Sequence, residues 1–425
     1  MLTQKAIMKK LLFFSLLSLS LTAQTLSMQA CVDQTLAQHP DIKIFILKIA
    51  QSEENYAISR SDYLPQIALL AEYSPQRTYV MPQLGQFNTI EDDGWSIGTI
   101  LKQKIWDFSK TTSLIEASQI DKHIAALSLE DAKAVMTYKI KSLYALMAVQ
   151  HEAIDVRQKD TQSKEELYKQ TLGFYTQGLR TKADVSRFEA AYQLAKEELI
   201  LSQVAFDKSR NTMSLYTKIP IKKDVRLDTT LIKSGTLTIK NTSAIKDRAF
   251  KDNHQIKIAS KQIDKNQKLH QAAKANHFGS IDAIGSYTQA NMINRYDTNI
   301  IGVSLNIPLY SGGRLSAEEQ RMQIETTVAK EQLESQSIAL EEELENLFLD
   351  LESYQESTKA KKAQLTSAKE AQEVVNARYK EGLSTYIEVL DAAFFLLNAQ
   401  LGLLEVGYKK RVTLNRIEYL TGNIQ

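Results

Sequence analysis

The 425-residue sequence is short of the residues that usually announce chemistry, with one cysteine, six histidines, six prolines and fifteen glycines. One cysteine excludes a disulfide framework, and no C-x-x-C or H-x-x-x-H spacing offers a zinc site. Neither a Ser-His-Asp set nor a G-x-G-x-x-G, P-loop or H-E-x-x-H motif is present, so no enzyme activity and no cofactor are expected. Neither charge sign dominates: 52 Lys+Arg face 50 Asp+Glu, both signs interspersed, which argues against a nucleic-acid partner. No internal stretch approaches 18 uncharged apolar residues, so no transmembrane helix is expected. The prolines fall at 40, 65, 75, 82, 220 and 308, leaving 83–219 and 309–425 without one. Pro and Gly punctuate helices, so both spans read as helical hairpins longer than globular domains hold.

Lys5, Lys9 and Lys10 precede the apolar run Leu11 to Leu21, which gives way to Thr22-Ala23-Gln24. This pattern predicts a secretory signal peptide over residues 1–23 and an exported mature chain. At about eleven residues the apolar run is too short to span a bilayer. Ala30 before Cys31 suits a lipidation site, but Met28, Gln29 and the polar Gln24, Thr25 and Ser27 do not. Cys31 reads instead as a small buried residue on a helix from Ser27 to Gln38, ended by His39-Pro40.

The chain repeats itself. A shift of 214 pairs Ile42-Lys43-Ile44 with Ile256-Lys257-Ile258 and Tyr73 with Tyr287. A shift of 204 pairs Ile97-Gly98 with Ile301-Gly302, Tyr175 with Tyr379, Gly178-Leu179 with Gly382-Leu383, Thr181 with Thr385 and Asn211 with Asn415. One inserted loop between Tyr73 and Ile97 explains the change of offset. The division is therefore a first repeat at 24–218, a polar connector at 219–243 and a second repeat at 244–425, in place of the two or three globular domains that length alone suggests.

Within each repeat the hydrophobic period switches. Ile281, Ala283, Gly285 and Tyr287, then Ile301, Val303 and Leu305, alternate with polar neighbours. In the first repeat Ile97, Thr99, Leu101 and Ile105 oppose Lys102 and Lys104. Period two predicts strand hairpins at about 65–107 and 279–310, with strands of about ten residues suited to a membrane barrel. The hairpin loops are expected at Ser74 to Asp93 and Asn291 to Thr298. Leu340, Leu344, Leu347, Leu351 and Tyr354, and then Ile387, Leu390, Phe394, Leu397, Leu401 and Leu404, keep heptad spacing. Helical hairpins are expected at about 109–218 and 313–421, each entered by a continuous helix of roughly 100 Å at 1.5 Å per residue. Four strands cannot close a barrel, and an open apolar sheet would aggregate through its edges. Three copies would supply twelve strands around a polar lumen. Lys102, Lys104 and Asn306 are expected on that lumen face.

Ile307-Pro308-Leu309-Tyr310-Ser311-Gly312-Gly313-Arg314 resembles the strand-to-helix junction of the outer membrane efflux protein (TolC-like) family. Tyr379-Lys380-Glu381-Gly382-Leu383-Ser384-Thr385, followed by Glu388-Val389-Leu390-Asp391, resembles its periplasmic tip turn. Leu26-Ser27-Met28-Gln29-Ala30 and His39-Pro40-Asp41 are similar to its usual start. The resemblance covers the mature chain in both halves and in order. It implies a mainly α protein with membrane β structure: a homotrimer whose twelve-stranded barrel continues into an α-helical tunnel. It also implies a periplasmic adaptor (membrane fusion protein) and an inner-membrane pump as partners, in tripartite efflux or type I secretion, with drugs, metal ions and secreted polypeptides all admissible as cargo. The competing readings are a secreted periplasmic coiled-coil scaffold, or an adaptor, without a pore.

Gly178 and Gly382 fit helix ends, and Thr181 and Thr385 fit N-caps of the return helices. The resemblance places Gly178, Leu179, Thr181, Gly382, Leu383 and Thr385 at the adaptor contact. It maps the links of a closed gate to Asp184, Tyr379, Ser384, Glu388 and Asp391. Ser384 stands where the family pattern has Arg, and Arg180 occupies the equivalent column of the first repeat, so the expectation is that the cation has moved between halves. Rings of such acids would favour cations.

Overall fold

The computed structural model of the protein describes residues 25–80, 88–233, 241–291 and 295–422. The expected signal peptide, part of the connector and the tips of both strand hairpins lie outside the described residues.

Two compact units divide the chain. One comprises Met1–Gln38, Lys139–Leu237 and Asp350–Asn415, the other His39–Tyr138, Thr238–Leu349 and Arg416–Gln425. Each draws on both sequence repeats.

In the first unit, β1 (Thr25–Leu26) leads into α1 (Met28–Gln38). β1 pairs in parallel with β4 (Arg226–Leu227), beyond which lies the short α5 (Thr230–Lys233). Tyr144 is fully buried and staples this pair: its hydroxyl donates to the Leu26 carbonyl at 2.7 Å and accepts from the Asp228 N–H at 2.9 Å. Cys31 is 1% exposed, and burial pushes its thiol up to about 12. A sulfur so enclosed leaves no room for a lipid, in keeping with the buried-residue reading.

The second unit holds α2 (Pro40–Ser61), α6 (Thr242–Asp252), α7 (His254–Ala275) and one sheet. Pro40 takes the first turn of α2, where its missing N–H costs nothing, and His39 caps it. The sheet contains β2 (Gln66–Val80), β3 (Asn88–Trp106), β5 (Ser280–Asn291) and β6 (Arg295–Asn306), in that order and wholly antiparallel. Side chains alternate as expected. Ile67, Leu69 and Tyr73, Leu101, Tyr287, and Ile301, Val303 and Leu305 share one face in register and are exposed, Ile301 to 96%. Lys102, Lys104, Asp282, Ser304 and Asn306 fall on the other.

Two strand expectations need correction. The first hairpin has strands of 15 and 19 residues against 12 and 12 in the second, so residues 74–80, 88–93 and 295–298, assigned to the two loops, are strand. Among the described residues, β3 before Trp95 pairs with β2 alone. Pro75 and the acidic run Glu91-Asp92-Asp93 break the apolar alternation there, which hid those rungs. The second correction is a bulge. Lys104 pairs with Asp282 but Trp106 pairs with Ile281, so the strand shifts by one residue and Trp106 turns to the apolar face.

The long helices are α3 (Lys110–Thr176), α4 (Lys182–Thr217), α8 (Arg314–Lys380) and α9 (Tyr386–Leu420); α3 and α8 are both 67 residues. α3 and α8 begin at equivalent turns. The Lys110 N–H donates to the Asp107 carbonyl (3.0 Å) as that of Arg314 does to Ser311 (3.2 Å). Gly312 and Gly313 have φ of 62° and 82°. Their counterparts Phe108 and Ser109 take the same left-handed backbone, at 55° and 69°, despite a side chain. That strain is offset by a ring contact from Phe108 to Phe278 at 5.3 Å.

Leu340 and Leu344 are buried with Ala249 and Leu420, with Leu347 packed against them. The heptad stripe expected on α9 differs: Ile387 and Phe394 are each 60% exposed, and the buried seam is Val389, Ala392, Ala399, Val406, Lys410 and Thr413. Small side chains let α9 approach its own chain closely, leaving the larger stripe outward. For the same reason α9 is long and apolar enough to cross a membrane by composition, although only 22% of its most apolar window is buried.

Candidate functional site: the tip turns and the barrel rim

Both helical hairpins reverse through the same construction. α3 ends with the Leu179 N–H donating to Phe174 O (2.9 Å) and the Gly178 N–H to Tyr175 O (2.9 Å). α8 ends identically, Leu383 to Arg378 O (2.8 Å) and Gly382 to Tyr379 O (3.1 Å). Gly178 and Gly382 have φ of 74° and 77°, the left-handed residue that this helix stop requires. Each return helix then opens with a capping box. Thr181 Oγ1 accepts from the Asp184 N–H, and the Asp184 carboxylate accepts from the Thr181 N–H at 3.0 Å. Thr385 and Glu388 do the same at 3.3 and 3.0 Å. Leu179 and Leu383 project from the turns, 66% and 68% exposed.

The expected gate residues divide into groups. Arg180 and Tyr379 are brought together: the guanidinium lies 4.6 Å over the ring and donates to the Tyr379 carbonyl at 3.5 Å. The cation thus meets the tyrosine from the first repeat. Tyr379 is 1% exposed, with its hydroxyl 3.0 Å from Thr171 Oγ1 and its ring edge-on to Phe188 at 5.6 Å. Leu167, Phe188 and Val389 complete that core. Asp184 and Glu388 are engaged in their capping boxes. Glu388 and Asp391 line a shared groove with Ala368, Val375 and Phe395. Ser384 is buried, and its hydroxyl has no hydrogen-bond partner among the described residues.

Sequence reasoning missed Thr171, Phe188 and a second contact one heptad along: Arg187 lies 4.9 Å over the Tyr386 ring. The repeat of Arg at 180 and 187 against Tyr at 379 and 386 was visible in the sequence. It also missed the rim of aromatics where the strands end. Trp106, Phe108, Phe278 and Tyr310 are all exposed, Tyr310 to 90%. Aromatics flanking barrel strands are the available signal. Of the residues expected on the lumen face, Lys102 and Asn306 are exposed. Lys104 is half-buried, 3.5 Å from the Asp107 carboxylate and donating to Thr111 Oγ1 at 3.0 Å.

Comparison with known proteins agrees with this geometry. Residues 31–217 and 246–423 match the family described as "Outer membrane efflux protein". The outer membrane protein TolC of Salmonella enteritidis is 23% identical, the match covering 99% of this chain and 87% of TolC. The proteases secretion protein PrtF of Dickeya chrysanthemi is 22% identical over 58% of this chain and 55% of its own. Among solved structures, the outer membrane protein VceC of Vibrio cholerae superposes with a TM-score of 0.81 at 16% identity, covering 93% of this chain and 96% of VceC. The matched segments take in both tip turns and both strand hairpins, so the chain belongs to the outer membrane efflux protein family.

Proposed function

We propose that three copies of this chain close a twelve-stranded barrel in the outer membrane and continue it as an α-helical duct into the periplasm. The protein is an outer membrane channel for efflux or type I secretion. The observation that carries the trimer is the sheet: a four-stranded antiparallel array with an exposed apolar face and, among the described residues, unpaired outer edges on β2 and β6. Such edges must be covered, and pairing β6 of one copy with β2 of the next covers all of them at once.

The apolar face would meet lipid, with the aromatic rim at the periplasmic boundary. The tip turns, with Leu179 and Leu383 exposed beside Gly178, Thr181, Gly382 and Thr385, would take the helical tip of a periplasmic adaptor, which links the duct to an inner-membrane pump. Arg180 on Tyr379 ties the two hairpin tips within a chain. Asp391, with Asp184 and Glu388, would form the acidic rings that favour cations at the constriction.

Two experiments test this. Unheated gels of the outer-membrane fraction should show a trimer that heat converts to monomer; a soluble monomer would favour the scaffold reading. In planar bilayers Arg180→Ala is expected to raise the closed-state conductance. If Arg180→Ala and Asp184→Ala both leave it unchanged, the gate assignment is wrong.

A further inference from the structure

The contact of Arg180 with Tyr379 has a companion in Arg187, whose guanidinium lies 4.9 Å over the Tyr386 ring. The two contacts hold different parts of the second helical hairpin. Tyr379 is the last residue but one of α8 and Tyr386 the first of α9, so the rings stand on either side of the tip turn. Both guanidiniums come from the first hairpin, Arg180 from its turn and Arg187 from α4. Seven residues on a helix are two turns, or about 10 Å. A single contact leaves the second hairpin free to pivot about it, whereas one contact to each leg fixes its direction.

The chemistry of these contacts suits a latch. Among the described residues neither arginine forms an ion pair, and the acids that flank the contacts, Asp184 and Glu388, are taken up by their capping boxes. The rings are therefore what the two cations have. Arg187 is exposed, where a guanidinium over a ring face is held only modestly. It can let go at low cost, because the released charge returns to water and leaves no buried ion behind. Tyr386 is half-buried and packs against the cluster of Leu167, Phe188, Tyr379 and Val389, which supports the ring from behind.

We propose that Arg187 and Tyr386 are gating residues: a second latch that holds the α9 leg of the tip closed, as Arg180 and Tyr379 hold the α8 leg, so that opening requires both to release. Neither residue belongs to the gate set that the family resemblance supplies. The inference rests on the reading of the chain as a duct closed at these tips. A cation over an exposed ring favours closure about two- to fivefold in each chain, and three chains opening together compound that to about tenfold or more.

The test is single-channel recording of the purified full-length protein in planar bilayers, with heat dissociation on gels as the control for assembly. Arg187→Gln and Tyr386→Leu are each expected to raise the fraction of time spent open about tenfold. Tyr386→Phe, the conservative variant that keeps the ring face, should restore closure relative to Tyr386→Leu. Arg187→Gln combined with Tyr386→Leu should do no more than the larger single change, because both remove one contact, whereas Arg187→Gln combined with Arg180→Ala should exceed either alone. An Arg187→Gln channel that gates like the wild type overturns the proposal. So does a Tyr386→Phe channel as open as Tyr386→Leu, since the ring face would then not be what matters. If Tyr386→Leu fails to assemble, the exposed Arg187→Gln still decides the question. A wild-type protein that forms no channel refutes the duct, whereas a channel that Arg180→Ala opens and Arg187→Gln does not refutes the second latch alone.

Discussion

Gly279 and Gly178 offer a paired test of the backbone geometry. Both are left-handed, with φ of 82° and 74°. Around Gly178 an added Cβ would meet nothing within 4 Å, so Gly178→Ala carries only backbone strain. That strain is about 1–2 kcal/mol, less about 0.4–1 kcal/mol for the stiffer unfolded chain, leaving about 1 kcal/mol of destabilisation. At Gly279 the same Cβ would lie 1.9 Å from the Asn306 carbonyl oxygen and 2.9 Å from its carbon, where real contacts stay beyond 3.0 Å. The obstacle is backbone and cannot rotate away. The strand end must separate, and with it the rung that pairs Ser280 with Asn306. Lost hydrogen bonds at about 1–3 kcal/mol each bring the expected cost of Gly279→Ala to about 3–5 kcal/mol. The assay is the midpoint of heat dissociation of the oligomer on gels, beside the yield in the outer-membrane fraction. Gly279→Ala should be depleted and melt well below Gly178→Ala. Equal midpoints for the two variants would refute the packing argument.

Other consequences are simpler to state. Thr181→Ala and Thr385→Ala each remove a capping box and should cost about 1 kcal/mol, read as faster hydrogen exchange in the first turns of α4 and α9. Val303→Arg places a charge on the apolar face and should cost about 2–4 kcal/mol in barrel stability near the midplane, whereas Ser304→Arg on the opposite face should assemble normally. Cys31 should resist maleimide at pH 8 and label fully in guanidinium. With its thiol pushed up to about 12 from 9.0, only the unfolded chain ionises as pH passes 9, so stability should fall between pH 9 and 12 relative to Cys31→Ala.

Much of the fold could be read because punctuation was sparse. With no proline between 83 and 219 or after 308, the ends of α3 and α8 were marked by Gly178 and Gly382 alone. Alternation gave the strand faces wherever a bilayer demands them. It failed at Trp106, which a bulge turns to the apolar face without a trace in composition, and above Tyr73, where Pro75 and the run Glu91-Asp92-Asp93 resemble a loop. On α9 the largest apolar residues drew the eye, but the intrachain seam is built from Val389, Ala392 and Ala399. In the proposed trimer the stripe of larger residues would be free to meet neighbouring copies. The tip motif was legible as a turn. That Tyr379 is buried while its repeat counterpart Tyr175 is 41% exposed was not, because a sequence repeat predicts equal environments and the packing of Phe188 against Tyr379 breaks that equality.

The sheet order also bears on how the chain comes into being. β3 pairs with β5, joining Trp95 to Asn291 across about 200 residues of helix and connector. Both compact units are stitched from early and late parts of the chain. The first hairpin to emerge during export therefore has no partner until most of the polypeptide has followed. Its faces, with Ile67 and Leu69 open to solvent, must be shielded meanwhile. Loop closure on this scale makes folding slow and post-translational. The chain should accordingly depend on periplasmic holding chaperones to a degree set by the late arrival of β5, and a truncation just before Gly279 should yield aggregate and no stable half-molecule.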